Sequence, residues 1–226
     1  MKSEPIRDRK KLELFQQLLV NDGKFRELMA FQFMFHTNLR VSDVLLLRWR
    51  DVMDDDGQPL PRLILQEKKI AKSKRKKRIP MTDELAKILL NYYHKYNPGM
   101  STFIFRSNSN KQRGRNQAWT RQYVYMCFHE YGKKAGIVEN IGAHTPRKTW
   151  GYHAYYTYGI DILIIQRAFN HTNMRDTLIY IGVIDEQVEE AHRSVSHIMK
   201  KSSDMLNIDK LPNLQRKIGW KQRKKK

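Results

Sequence analysis

Cysteine is almost missing from the chain: Cys127 stands alone among 226 residues, which excludes a disulfide framework and a cysteine-built zinc site. Set in the apolar run Tyr125-Met126-Cys127-Phe128, it is expected in the core. Long hydrophobic runs are missing too. No stretch approaches the roughly 20 apolar residues of a spanning helix, and no signal-peptide pattern opens the sequence. A soluble, cytoplasmic protein without a membrane partner is expected. Acidic residues are scarce, 23 against 43 Lys and Arg, and the resulting +20 is spread along the chain instead of sitting in one arm. That excess calls for a polyanionic partner, and nucleic acid fits best. His192 and His197 are five positions apart, a spacing that does not place two ligands on one helical face, so no metal site is expected. With 40% hydrophobic residues the length suffices for one core with tails.

Residues 9–20 and 24–36 read as helices separated by Asp22-Gly23, and the second, apolar almost all round, should be central. A further helix is expected from Ser42-Asp43 through Val44, Leu45, Leu46 and Leu47, with hydroxyl and carboxylate suited to its first turn. Leu63-Ile64-Leu65 and Arg78-Ile79-Pro80-Met81 read as extended, and positions 68–78 between and within them hold eight Lys or Arg in eleven residues. This predicts a small basic hairpin or three-stranded sheet, with Thr102-Phe103-Ile104-Phe105 as another strand candidate. Thr82 should cap a helix ending near Tyr96. Residues 106–117 read as a polar basic loop, and the last third as helices over about 119–135, 146–158, 161–169, 174–181 and 185–201. Thr145-Pro146 reads as a capping hydroxyl followed by proline at the first helical position. The fold class expected is mainly α with a small antiparallel β-sheet. One domain is expected over residues 1–205, followed by a basic tail, 206–226.

Three separated pieces carry chemistry: Asn38-Leu-Arg40-Val-Ser-Asp43, His144-Thr-Pro-Arg147, and Asn170-His171 with Tyr180 nine positions later. Each alone is commonplace; an isolated arginine is usually a surface or capping residue and an isolated tyrosine a half-buried packing residue. In this order and spacing they resemble the tyrosine recombinase, or phage integrase, family over about residues 8–195. The stretch Thr177-Leu-Ile-Tyr180-Ile-Gly182 resembles short members such as fimbrial invertases and Gram-positive phage or mobile-element integrases.

The resemblance implies a catalytic-domain fold and a site-specific recombinase acting on double-stranded DNA in integration, excision, inversion or resolution. Arg40 and Arg147 would grip the non-bridging oxygens of the scissile phosphate, where guanidinium geometry allows two-point contact. Tyr180 would be the nucleophile and His144 its proton acceptor, since a tyrosine hydroxyl ionises only near pH 10 in water. The attack would expel a 5′ hydroxyl and leave a 3′-phosphotyrosyl ester, so no cofactor, nucleotide or metal is expected. A hairpin lysine would protonate the leaving oxygen, Lys72 by alignment with the family pattern, with Lys69 and Lys74 of the same hairpin as the alternatives. His171 would donate a hydrogen bond to the phosphate, and Asp43 would buttress the site. Lys69, Lys74, Arg75, Lys76, Lys77, Arg113 and Arg115 are expected to contact DNA.

Two departures stand out. Asn170 occupies the place usually held by Gly, a position where Asn tolerates positive φ. The N-terminal core-binding domain of most relatives is expected to be absent. Strand exchange needs several tyrosines, so a homo-oligomer on DNA, a dimer or tetramer, is expected, with the apolar positions beyond 185 docking on a neighbour. The rivals are a non-catalytic DNA-binding regulator with this fold, a type IB topoisomerase, and an RNA-binding protein. A decayed regulator would have lost one of Arg40, His144, Arg147 or Tyr180, and all four are present; a stacking motif for RNA is not found.

Overall fold

The computed structural model describes residues 3–65, 76–108, 115–182 and 185–196. It divides into two compact units, residues 1–182 and 183–226. The first contains α1 (Arg9–Asn21), α2 (Phe25–Thr37), α3 (Val41–Val44), β1 (Arg62–Leu65), β2 (Lys77–Pro80), α4 (Asp83–Tyr96), α5 (Arg121–Lys134), α6 (Thr145–Tyr156), α7 (Ile162–Phe169) and α8 (Met174–Ile181). The described part of the second is one helix, α9 (Asp185–Ser196). The expected boundary at 205/206 lies outside the described residues, as does the expected helical stretch from 197 to 201.

The central position of α2 follows from its apolar circumference: it packs against α1, α4 and α6. Phe31 meets Phe15 of α1 at 4.9 Å and Phe128 of α5 at 5.4 Å between ring centres, and all three rings are buried. Burying each such ring contributes about 1.5–3 kcal/mol. Thr82 caps α4 as predicted, accepting from Leu85 N at 3.3 Å. Cys127 is buried, which pushes its thiol up to about 12.

The strands pair antiparallel with Arg62 opposite Pro80 and Leu65 opposite Lys77. Leu63 and Ile79 turn inward while Ile64 and Arg78 face out, the period-two alternation of a sheet with one covered face. Among the described residues the sheet has these two strands only. The expected strand at 102–105 is reduced to an isolated bridge between Arg48 and Phe103. The expected helix through Leu47 also needs correction: α3 stops at Val44. Leu45 and Leu47 are buried and Leu46 is exposed, an alternation that suits chain leaving a helix, and Leu47 O accepts from Ile104 N at 2.9 Å.

Residues 3–8 form an extended strap laid along α6. Ile6 is buried, its N–H donates to Thr149 Oγ1 at 3.0 Å, and its carbonyl bonds His153 Nε2 at 3.1 Å. Thr145, expected as a cap, instead lies inside α6 with His144 as the N-cap residue. Its hydroxyl donates to Glu4 O at 2.9 Å and accepts from Gly142 N at 3.0 Å. The strap thereby fixes the start of α6.

Candidate active site

Two helix ends and one helix start converge on Arg147. Its place in the first turn of α6 points it into the domain, where it is 1% exposed. Nη1 donates to Asn38 O, and Nη2 donates to Phe169 O at 2.6 Å and lies 3.2 Å from His171 Nε2. Both carbonyls stand at helix C-termini closed by asparagines in the left-handed region, Asn38 (φ 54°) after α2 and Asn170 (φ 52°) after α7. There the carbonyls have run out of intrahelical donors and carry the negative end of the helix dipole. They orient a guanidinium without neutralising it. Asn170 thus adopts the positive φ expected of it.

Phe169 is the floor of the cluster. Its ring lies 4.7 Å from Arg147 Cζ, 5.1 Å from the His171 ring and 5.5 Å from the Tyr180 ring. The close crossing of α6 over α7 and α8 depends on Gly151, where an added Cβ would stand 2.5 Å from Phe169 Cζ and 3.3 Å from Ile181 Cγ2. His171 is held by Gln166, whose carbonyl accepts from His171 N at 3.1 Å and whose amide donates to His171 O at 3.2 Å. Tyr180, on α8 and half-buried, presents its ring 4.9 Å from the His171 ring, 5.6 Å from Arg147 Cζ and 5.6 Å from Lys148 Nζ.

His144 sits at the N-cap of α6, and its Nδ1 is buried without a hydrogen-bond partner among the described residues. Burial, then the charges of Arg121, Arg147, Arg40 and Lys148, push it down to about 4, so the ring is neutral at neutral pH. Arg40 is the half-buried N-cap residue of α3, and Asp43 is buried in the same helix. The sequence-predicted Arg40, His144, Arg147, His171 and Tyr180 therefore fall in one region of one unit. Lys69, Lys72, Lys74, Arg75 and Arg113 lie outside the described residues. Lys76 and Arg115 are exposed. Lys77, expected at DNA, turns inward, and its Nζ donates to Asn38 O at 3.3 Å, the carbonyl that also receives Arg147.

Sequence reasoning gave no role to three participants. Lys148 is 2% exposed with Nζ 3.6 Å from a Glu4 carboxylate oxygen. Arg121 opens α5 and bears on His144. Thr177 is fully buried against His171. Lys148 was open to discovery as a basic residue next to the H-x-x-R box and Thr177 as a member of the stretch around Tyr180, whereas Arg121 has no motif around it.

Among known proteins, the profile of the phage integrase family matches residues 8–187. A probable integrase/recombinase of Bacillus subtilis, YoeC, is 31% identical over 191 residues, covering 84% of this chain and 95% of that one. The crystal structure of XerA recombinase superposes with a TM-score of 0.61 at 20% identity, over 85% of this chain and 64% of that one. The XerH site-specific recombinase, in a post-cleavage complex with its palindromic difH substrate, gives 0.60 at 18% identity, over 84% of this chain and 53% of that one. The chain thus spans nearly all of one relative, just under two thirds of the second and a little over half of the third.

Proposed function

Since the chain belongs to the phage integrase family, we propose that it is a site-specific DNA recombinase that cuts and rejoins double-stranded DNA through a phosphotyrosyl ester at Tyr180. The observation that carries this is the Tyr180 ring packed beside His171 and a buried Arg147 that carbonyl oxygens hold in place.

In the reaction proposed, Arg40 and Arg147 bind the non-bridging oxygens and stabilise charge that grows as the tyrosine oxygen adds to phosphorus. The new bond is Tyr180 Oη to phosphorus; the bond that breaks runs from phosphorus to the 5′ oxygen. His144 receives the tyrosine proton. It is neutral, and although burial is the larger reason for its low basicity, an arriving phosphate offsets the share that the neighbouring cations contribute. A hairpin lysine, Lys72 by the family pattern, protonates the leaving oxygen. Because the ester conserves the bond energy, the reverse attack by a DNA hydroxyl rejoins the strand without nucleotide.

A homo-oligomer on DNA supplies the several tyrosines that strand exchange needs. The presence of all four residues whose loss would mark a decayed regulator favours the enzyme over that reading. A nicked suicide substrate tests the proposal: the wild type should form an SDS-stable complex in EDTA, and Tyr180→Phe should bind the DNA and form none. An adduct with the phenylalanine variant would overturn the assignment of the nucleophile.

A further inference from the structure

Resting on the reading above that this site cleaves DNA, we infer that Thr177 is a positioning residue of the reaction, which holds His171 in the tautomer protonated on Nδ1 so that His171 in turn orients Arg147. The order of donors and acceptors leads there. A guanidinium has hydrogens to give and no lone pair to offer, so the 3.2 Å contact between Arg147 Nη2 and His171 Nε2 requires Nε2 to accept. A ring protonated on Nε2, or on both nitrogens, would set one N–H against another. The neutral ring that accepts at Nε2 carries its hydrogen on Nδ1. That atom lies 3.0 Å from Thr177 Oγ1, which receives the bond.

Thr177 is 0% exposed, so water is not at hand to take over this role. Nη2 of Arg147 has two hydrogens, one directed to Phe169 O at 2.6 Å and one to His171 Nε2. With Nη1 on Asn38 O, acceptors on three elements set the plane of the guanidinium. Thr177 also lies three residues before Tyr180, on the same face of α8. The helix that presents the nucleophile therefore also sets the tautomer that aims the arginine. His171, foreseen from the family pattern as a donor to phosphate, is in this arrangement an acceptor that steadies the group which meets the phosphate.

Valine at 177 keeps the shape and deletes the acceptor; serine keeps the acceptor and deletes the methyl. Two-bond ¹⁵N–¹H spectra of the full chain, with His171 assigned by loss of its signals in His171→Gln, report the tautomer without DNA. Trapping on the suicide substrate reports the rate, and titration with the same DNA the affinity. The wild type should show the Nδ1–H pattern. Thr177→Ser should keep that pattern and form adduct within about threefold of wild type, whereas Thr177→Val should lose it and react about ten- to a hundredfold more slowly at unchanged DNA affinity, the usual scale for losing an orienting partner. An Nε2–H pattern in the wild type would overturn the inference, as would a valine variant that keeps the Nδ1–H pattern or reacts at full speed. Equal loss in serine and valine variants would also sink it, by reducing Thr177 to packing. If the tautomer responds as described and even the wild type forms no adduct, the relay stands and the DNA-cleavage reading falls.

Discussion

A guanidinium that must receive an anion has to be fixed and still charged, and the carbonyls of Asn38 and Phe169 meet both needs for Arg147. Lysine can reach one such acceptor but cannot satisfy three in a plane. Arg147→Lys is therefore expected to slow adduct formation by about a hundredfold or more, the scale of losing one preorganised donor to a developing charge; single-turnover trapping measures it. His144 gives a second prediction, in stability. Its folded-state basicity lies well below that of a histidine in water, so as pH falls from about 6.5 toward 4 the unfolded chain takes up a proton that the folded one refuses. Stability should fall by about 2 kcal/mol from this group between pH 7 and pH 5. His36 and His153, also pushed down by burial, act with the same sign, so denaturant titrations should show His144→Gln reducing the loss without removing it. The arginines, histidines and tyrosine of the candidate site were legible as a motif because the phosphate chemistry proposed for it needs particular side chains. The acceptors that hold Arg147 were not, since a backbone carbonyl has no residue signature. Thr177 was read only as part of a family stretch, because a buried hydroxyl gains its meaning from the ring it touches.

Helix periodicity made most elements legible, and asparagine marked where three of them end: Asn38, Asn97 and Asn170 all adopt positive φ as C-caps. Asn170→Gly should therefore be neutral or mildly stabilising, whereas Asn170→Val should cost about 1–2 kcal/mol by forcing a β-branched residue into the left-handed region. Thermal melts of the two variants check the sign. Gly151 is a different case, since what matters there is room between helices. Gly151→Ala should destabilise by about 1–3 kcal/mol through overpacking against Phe169, and should lower cleavage because Phe169 supports Tyr180 and His171. The expected helix through Leu47 failed because a short apolar run reads equally well as helix or extended chain until its burial is known. The strap of residues 3–8 went unread for a related reason: an extended segment bonded to a helix has no partner strand and shows no period.

At the scale of the whole molecule the charge of +20 is expected to keep free protomers apart and to make DNA binding depend on counterion release. If six to ten phosphates are contacted, affinity should drop about a thousandfold or more between 50 and 200 mM salt, which fluorescence anisotropy at several salt concentrations would show. Residues 183–226 form a separate unit, and removal of residues 186–226 is expected to spare single-site binding while abolishing recombination between two sites; undiminished recombination by the shortened chain would exclude them as the coupling element. The strap bears on how the enzyme comes into being. Ile6 leaves the ribosome well before its partners Thr149 and His153, which follow 143 and 147 positions later, and loop closure over such separations is slow compared with local helix formation. Pulse-labelled hydrogen exchange during refolding should find the amides of α2 protected before that of Ile6. During synthesis the same order means that a growing chain carries no finished cutting site until Thr149, His153 and, after them, Tyr180 have been made.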